Sequence, residues 1–435
     1  MKIIRDMVHG YVSFDESDRA FIDTPLFQRL KRIKQITAHA VYPNANHSRF
    51  EHSLGVMHLG QLVYKRLIQQ ESSLNSQQLK NTVRYACLLH DIGHAPFSHA
   101  LEGLYDTEEC KSKLMTYGLS FTDDNIASAP HELMSSVVAL ENFNEKFDIL
   151  NIDKDLFCRM ILGIEYEYAN SNSFKNPLIH LLNSHIDVDK LDYLMRDSMM
   201  SDVKGLISID RERLIFSYKV FDKKLLLSSK ALSVISNLVY GRNAMYMWVY
   251  NHQVVAYYTS IIRRYVDYLI EIDPELKDRY FSFDSINSKL IDDHDIVSLF
   301  KSQRECDDRT QNLYNQIFNR EYLKPIWKNQ YELKQKINSQ MQRDKILLLT
   351  KSNLEDEIKE KLSLAPDDLY VILAEFKPFN PMDTEHIYIY IDDLTIPHFD
   401  DLFESSVHSM MIKELPYIFT KESLKETVLN YLRSF

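Results

Sequence analysis

Residues 88–99 read LLHDIGHAPFSH. Two leucines close an apolar run, and His90, Asp91, His94 and His99 then follow within ten residues, with Gly93 among them. A charge set beside apolar residues is costly unless it is paired. Imidazoles and a carboxylate in this density therefore point to a metal site or a proton-transfer site. Working outward, QLKNTVRYACLLHDIGH (78–94) predicts a helix ending near Gly93. HSLGVMHLGQLVYKRLIQ (52–69) spaces Leu54, Met57, Val63 and Leu67 as a buried helix does. The segment leading into it, SRFEHSLGV, adds Arg49 and His52. HELMSSVVALENF (131–143) predicts a third helix, with Pro130 as its start signal. Further on, HIDVDKLDYLMRD (185–197) supplies Asp187, Asp189, Lys190, Tyr193 and Asp197. Two imidazoles and two carboxylates drawn from these segments form a borderline donor set, suited to Mn, Fe, Zn, Co or Ni.

The rest of the chain fits a mainly α protein. A strand pair is expected around IFSYKVF (215–221) and KKLLLSS (223–229), then one long helix over 230–272. Residues 273–350 read as mixed and mostly helical. LYVILAEF (369–376) and HIYIYIDD (386–393) have the Ile, Tyr and Val content of strands, with the turn cluster NPMD between them. KESLKETVLNYLRSF (421–435) predicts a closing helix. The expected architecture is a helical core over 1–272 and a smaller α+β region over 273–435, regulatory or oligomerising in role.

Composition narrows the chemistry. Only 9 of 435 residues are glycine, and the last 194 have none. There is no G-x-G-x-x-G and no Walker motif; Gly55 and Gly60 have the spacing, but Gln61 and Leu62 follow them. Phosphate must then be held by a metal or by cationic side chains. No apolar stretch approaches the roughly 18–20 residues of a membrane span, and MKIIRDMVHG has no signal-peptide apolar region. Cys87, Cys110, Cys158 and Cys306 lack metal or disulfide spacing, which suits a cytoplasmic setting. The net charge is -11, of which residues 351–435, with 17 acidic and 8 basic residues, contribute -9. This balance disfavours nucleic acid; FQRLKRIK, with Arg29, Lys31, Arg32 and Lys34, is the best local basic candidate.

These segments resemble the HD-domain phosphohydrolases, and within them the deoxynucleoside triphosphate triphosphohydrolases. The matching text runs from IDTPLFQRLKRIKQ through VYPNANHSRFEHSLGVMHL and LLHDIGHAPFSHALEG to His131-Glu132. It resumes at IDVDKLDYLMRD and GRNAMYMWVYNHQ, covering about residues 1–265. The resemblance implies an HD-domain helical core. It implies His52, His90, Asp91 and Asp189 as ligands of a divalent metal, Mg joining the metals above. His94, His99 and His131 match the family's catalytic histidines, and Glu102 stands where the family often has Asp. Arg49, Lys190 and Arg242 match triphosphate contacts, with Tyr193, Tyr250, Asp197 and Gln35 on the deoxyribose side. A tyrosine packed against C2′ would exclude a ribose hydroxyl. Tyr246 belongs to the same substrate set; it and Gln253 replace basic or imidazole groups of the vertebrate enzyme. Lys2, Arg5, Asp23, Gln28 and Lys31 fall at an activating-nucleotide site, Lys31 in place of Arg.

The implied reaction is hydrolysis of a dNTP to deoxynucleoside and triphosphate, by a homo-oligomer such as a dimer or tetramer. Two other readings stand beside it. An HD phosphohydrolase could act on nucleoside monophosphates or other phosphate esters with the same metal site. A nucleotide or nucleic-acid binding protein without turnover would use the 29–34 segment and the C-terminal region.

Overall fold

The computed structural model describes residues 2–121, 128–203, 205, 209–374, 387–392, 395–398 and 414–435. It opens with an antiparallel hairpin, β1 (Lys2–Asp6) and β2 (Gly10–Phe14), which pairs Lys2 with Phe14 and Asp6 with Gly10. Short helices α1 (Glu16–Ile22) and α2 (Pro25–Arg29) follow. The helical core is α3 (Arg49–Leu67), α4 (Gln77–Leu89), α5 (Thr107–Met115), α6 (Pro130–Ile149), α7 (Lys154–Leu162), α8 (Asn176–Leu182) and α9 (Val188–Met200). Then come α10 (Arg211–Ser217), β3 (Tyr218–Phe221), β4 (Lys224–Ser228), α11 (Leu232–Met245) and α12 (Gln253–Ile272).

Helix α3 is the centre of this core and packs against α4 and α9. It starts where Glu51 turns back to accept the Ser48 backbone N–H at 3.0 Å, a capping box. Its apolar residues Leu54, Val56, Met57, Leu59, Val63 and Leu67 are all buried. Helix α9 is capped by Asp187, whose carboxylate accepts the Lys190 N–H at 2.7 Å.

Beyond α12 lie α13 (Glu275–Phe281), α14 (Phe283–Asn287), α15 (Asp293–Gln303), α16 (Asp308–Phe318), β5 (Lys324–Pro325), α17 (Gln330–Lys336), α18 (Gln340–Thr350) and α19 (Leu354–Leu362). The chain closes with β6 (Leu369–Ala374), β7 (Ile389–Tyr390), β8 (Leu415–Thr420) and α20 (Lys425–Arg433). The expected α+β character of this part is present. Three-stranded sheets order as β3-β4-β7 and β5-β8-β6. The β4–β7 pairing is parallel, Leu227 to Ile389, and so ties the two parts of the chain together.

Several expectations need correction. Residues 211–217 are helical, so the strand pair is shorter than expected. The helix expected over 230–272 is interrupted: Tyr246–Tyr250 forms a π-helical turn, and α12 restarts at Gln253. The strands at 369–374 and 389–390 do not pair with each other; β6 pairs with β8 and β7 with β4. NPMD lies outside the described residues. In the basic segment 29–34, Lys31 and Arg32 are exposed, but Arg29 takes no part in a surface patch. Arg29 is fully buried and donates to the backbone carbonyls of Ile291, Ile92 and His94 at 2.6, 3.3 and 2.7 Å. Arg32 is paired with Asp292. Burial pushes the Arg29 guanidinium down, opposed by Tyr105, Asp292 and Asp293, while its N–H groups serve the three carbonyls. Arg29→Ala would leave them without a donor. It is expected to lower stability by about 3–5 kcal/mol, as each hydrogen bond to a charged group contributes about 1.5–3 kcal/mol; urea unfolding measures this.

Candidate active site

The turn that follows α4 carries the quoted segment against α6. Gly93 makes this approach feasible: a Cβ there would lie 2.3 Å from Ser135 N and 2.5 Å from Met134 C. The Gly93 N–H donates to Ser135 Oγ at 2.9 Å. Phe97 and Ser98, both non-glycine, then adopt left-handed backbone angles (φ 55° and 53°). Asp293 of α15 accepts the Phe97 N–H at 2.7 Å and the Lys34 N–H at 3.0 Å. Backbone strain of this kind persists only where surrounding contacts over-determine it.

Four expected ligands converge. His52 Nε2 lies 2.9 Å from Asp189 Oδ1, 3.3 Å from His90 Nε2 and 3.6 Å from Asp91 Oδ2. His90 Nε2 is 3.5 Å from Asp91 Oδ1 and from Asp189 Oδ1. The His52, His90 and Asp91 donor atoms lie close enough together to hold one ion, with Asp189 against both histidines. The tautomers agree. His90 Nδ1 donates to the Cys87 carbonyl at 2.9 Å, and His52 Nδ1 faces Asp192 at 2.8 Å. Both Nε2 atoms are therefore turned toward each other and toward Asp189, where a metal ion would take the place of a proton. The donor set fits a divalent metal. Burial opposes charge throughout this cluster. Hydrogen bonds to Asp189 and Asp192 nonetheless raise His52 to about 10, while Arg49, His90 and His52 hold Asp91 below the usual carboxylate range.

A second group lies beside the first. His94 is fully buried, its ring stacked on His131 at 4.1 Å, and its Nε2 is 3.6 Å from Asp91. Among the described residues neither His94 nitrogen has a hydrogen-bond partner, and burial followed by the Arg49 charge pushes its pKa well down. Glu102 bridges His99 Nδ1 at 2.9 Å and His131 Nδ1 at 2.6 Å. Burial would raise the Glu102 carboxyl, but the two histidines hold it well below its ordinary range. The same contact overcomes burial to raise His131. Arg49 connects the two groups. It donates to Asp91 at 2.8 Å and to Ser98 Oγ at 3.0 Å, and reaches to 3.5 Å from His99 Nε2.

Both groups open on a cavity of about 420 Å³. All the expected substrate residues line it: Gln35, Arg49, Lys190, Tyr193, Asp197, Arg242, Tyr246 and Tyr250. Lys190 is tied to Asp187 at 2.7 Å and Arg242 lies over the Tyr246 ring at 5.7 Å. The two oxygens of Asp197 take Tyr250 OH at 2.7 Å and His47 Nε2 at 2.6 Å. His47 was not singled out from sequence, although it stands only five residues before His52. A larger cavity of about 600 Å³ shares Lys190 and Arg242 as a common wall.

The expected activator residues have the following surroundings. Lys2 and Arg5 lie on β1; Asp23 pairs with Arg19, Gln28 donates to the Ile22 carbonyl, and Lys31 lies over the Phe50 ring.

The HD domain family matches residues 49–133, and the family described as HD associated region matches 209–391, crossing position 272. An uncharacterized protein of Methanocaldococcus jannaschii is 32% identical over 270 residues, 61% of this chain and 49% of that protein. The deoxynucleoside triphosphate triphosphohydrolase SAMHD1 homolog of Dictyostelium discoideum is 31% identical over 255 residues, 58% of this chain and 46% of that protein. The chain thus spans about half the length of the curated relatives it matches. A hypothetical protein from Aquifex aeolicus, known from its crystal structure, superposes with a TM-score of 0.71 at 24% identity, covering 99% of both chains. A phosphohydrolase from Bacteroides thetaiotaomicron superposes at 0.69, with 24% identity, 97% of this chain and 100% of that one covered. These two likenesses establish the fold.

Proposed function

Because the chain belongs to the HD-domain phosphohydrolases, we propose that it hydrolyses deoxynucleoside triphosphates to deoxynucleoside and triphosphate. One observation carries this reading. One cavity is lined by three cations, Arg49, Lys190 and Arg242, together with Asp91, Asp189 and the rings of Tyr193, Tyr246 and Tyr250. A monoester has little use for three cations, whereas a triphosphate spreads its charge over them.

His52, His90, Asp91 and Asp189 would hold a divalent ion, which as a Lewis acid polarises a phosphoryl oxygen and lowers the pKa of water. The remaining work falls to the chain's own groups. Arg49, Lys190 and Arg242 neutralise the polyphosphate. Glu102 accepts from Nδ1 of His99 and His131, so their Nε2 atoms face the cavity. Water attacks the α-phosphorus, the bond from that phosphorus to O5′ breaks, a histidine Nε2–H delivers its proton to the departing O5′, and the proton lost by the water restores that imidazole. The tyrosines pack against the sugar and discriminate at C2′, with Asp197 and Gln35 on the same side.

The same reading carries a dimer or tetramer in the cytoplasm and an activating nucleotide at Lys2, Arg5, Asp23, Gln28 and Lys31. No helix among the described residues is long and apolar enough to cross a membrane. The test is product analysis by ion-exchange chromatography for the phosphates and reversed-phase chromatography for the nucleoside, with each dNTP, singly and in pairs, under Mn²⁺ or Mg²⁺. Intact triphosphate and deoxynucleoside in equal amounts are expected. Orthophosphate alone, or turnover only of monophosphates, overturns the reading.

A further inference from the structure

Behind His52 runs a buried chain of contacts that ends on the N-terminal hairpin. Asp192 lies on α9, three residues after Asp189, and is fully buried. Its Oδ2 accepts from His52 Nδ1 and from Arg196 Nε, each at 2.8 Å. Its Oδ1 accepts from His9 Nε2 at 2.5 Å and from an Arg196 terminal nitrogen at 3.0 Å. The other terminal nitrogen of Arg196 donates to Asp6 Oδ2 at 2.7 Å. Asp6 Oδ1 in turn accepts the backbone N–H groups of Val8 and His9 at 2.9 and 2.8 Å, folding the turn that presents His9.

Donor logic fixes the proton positions. Arg211 lies 3.2 Å from His9 Nδ1, and a guanidinium can only donate. His9 Nδ1 is therefore the acceptor, and its Nε2–H is given to Asp192. With an ionised Asp192 able only to accept, His52 must donate from Nδ1. That leaves His52 Nε2 aimed at His90 and Asp189, the position of a ligand atom. Gly55, three residues after His52 on α3, leaves the space this needs. A Cβ there would fall 1.9 Å from Asp192 Oδ1 and 2.6 Å from Arg196 Nη2. Asp192 thus occupies the volume a side chain would take, pressed directly on the helix that carries His52.

We propose that His9 and Asp192 are positioning residues that hold the tautomer and orientation of His52, making the N-terminal hairpin a working part of the metal centre. This rests on reading His52, His90, Asp91 and Asp189 as a metal site. Contacts that orient a ligating histidine typically change metal affinity by about 10–100-fold when lost. The experiment titrates Mn²⁺ into the metal-stripped full chain by calorimetry, and records Tm with and without Mn²⁺. His9→Leu is expected to weaken Mn²⁺ binding about 10-fold and Asp192→Asn by about 10–100-fold. His9→Gln, which keeps an N–H for Asp192, is expected to stay within about threefold of wild type. Gly55→Ala, which displaces Asp192, should weaken binding as Asp192→Asn does, and replaces it in the test if that variant does not fold. A role in stability alone would lower the Tm of the metal-free chain and leave the Mn²⁺ affinity untouched, which overturns the proposal. His90→Ala separates the two levels. If it abolishes Mn²⁺ binding while His9→Leu and Gly55→Ala bind as wild type does, only the positioning role falls. If wild type and His90→Ala bind Mn²⁺ alike, or neither binds it, the metal reading falls and the proposal with it.

Discussion

Asp91→Ala is expected to leave the chain without stoichiometric divalent metal and to cut turnover on the order of 10³-fold or more. A metal's charge stabilisation is worth several kcal/mol, and about 1.36 kcal/mol corresponds to tenfold in rate. Asp91 is the ligand that reaches both groups of the site. One oxygen takes Arg49 at 2.8 Å, and its two oxygens stand 3.5–3.6 Å from His90, His94 and His52. Its removal also leaves the buried Arg49 guanidinium without its carboxylate, a loss of about 3–5 kcal/mol for a broken buried pair. Asp91→Asn is therefore the control. It keeps the shape and one acceptor for Arg49, and should fold while still losing the metal. Elemental analysis and kcat are the measurements. A variant with full metal content and full turnover would remove Asp91 from the site.

Glu102→Gln is expected to lower kcat by about 10²–10⁴-fold with KM and metal content nearly unchanged. A histidine held in the wrong tautomer loses activity on that scale. The carboxylate accepts from two imidazoles at once. An amide offers one oxygen and one NH₂, so either His99 or His131 meets a donor where it needs an acceptor. The pH dependence follows from the shifts. The His131 pKa is raised and that of Glu102 lowered. The pair's contribution is thus lost on the acid side as Glu102 takes up a proton below its usual range. On the alkaline side it is lost as His131 gives up its proton, above about 6.5, the ordinary imidazole value. In Glu102→Gln the His131 titration, followed by NMR, should fall back toward that ordinary value. An unchanged His131 titration and an unchanged kcat would show that Glu102 does not orient these rings.

The core helices were legible because their signals are local. Apolar spacing marked α3 and α4, Pro130 marked the start of α6, and the closing segment gave α20. What escaped was long-range. Strand content located β6 and β7, but a strand's composition does not name its partner, and both partners lie far off in the chain. The interruption at Tyr246–Tyr250 carries neither proline nor glycine, so no local breaker announced it. Of the site, every expected ligand and substrate contact came from text that matches a family. His9 and Asp192 stand 183 residues apart, and no spacing rule joins them. Asp192 did carry a faint mark, lying four residues before Arg196 on one face of α9. Arg29 misled for the opposite reason. Its neighbours Lys31, Arg32 and Lys34 suggest a charged face, yet the guanidinium is spent on backbone carbonyls in the interior.

The site is held by two different kinds of packing, with a consequence for redesign. Where Gly93 meets Ser135 and Met134, main chain sits on main chain. Such a seam has no rotamers to adjust, so the spacing between Asp91 and His131 has almost no give. The cavity itself is lined by the Tyr193, Tyr246 and Tyr250 rings, the last two carried on an irregular turn. There a single substitution removes or adds a ring's volume and leaves the backbone in place. Efforts to redirect the protein toward other molecules should therefore spend their diversity on the tyrosines and carry the Gly93 seam over unaltered.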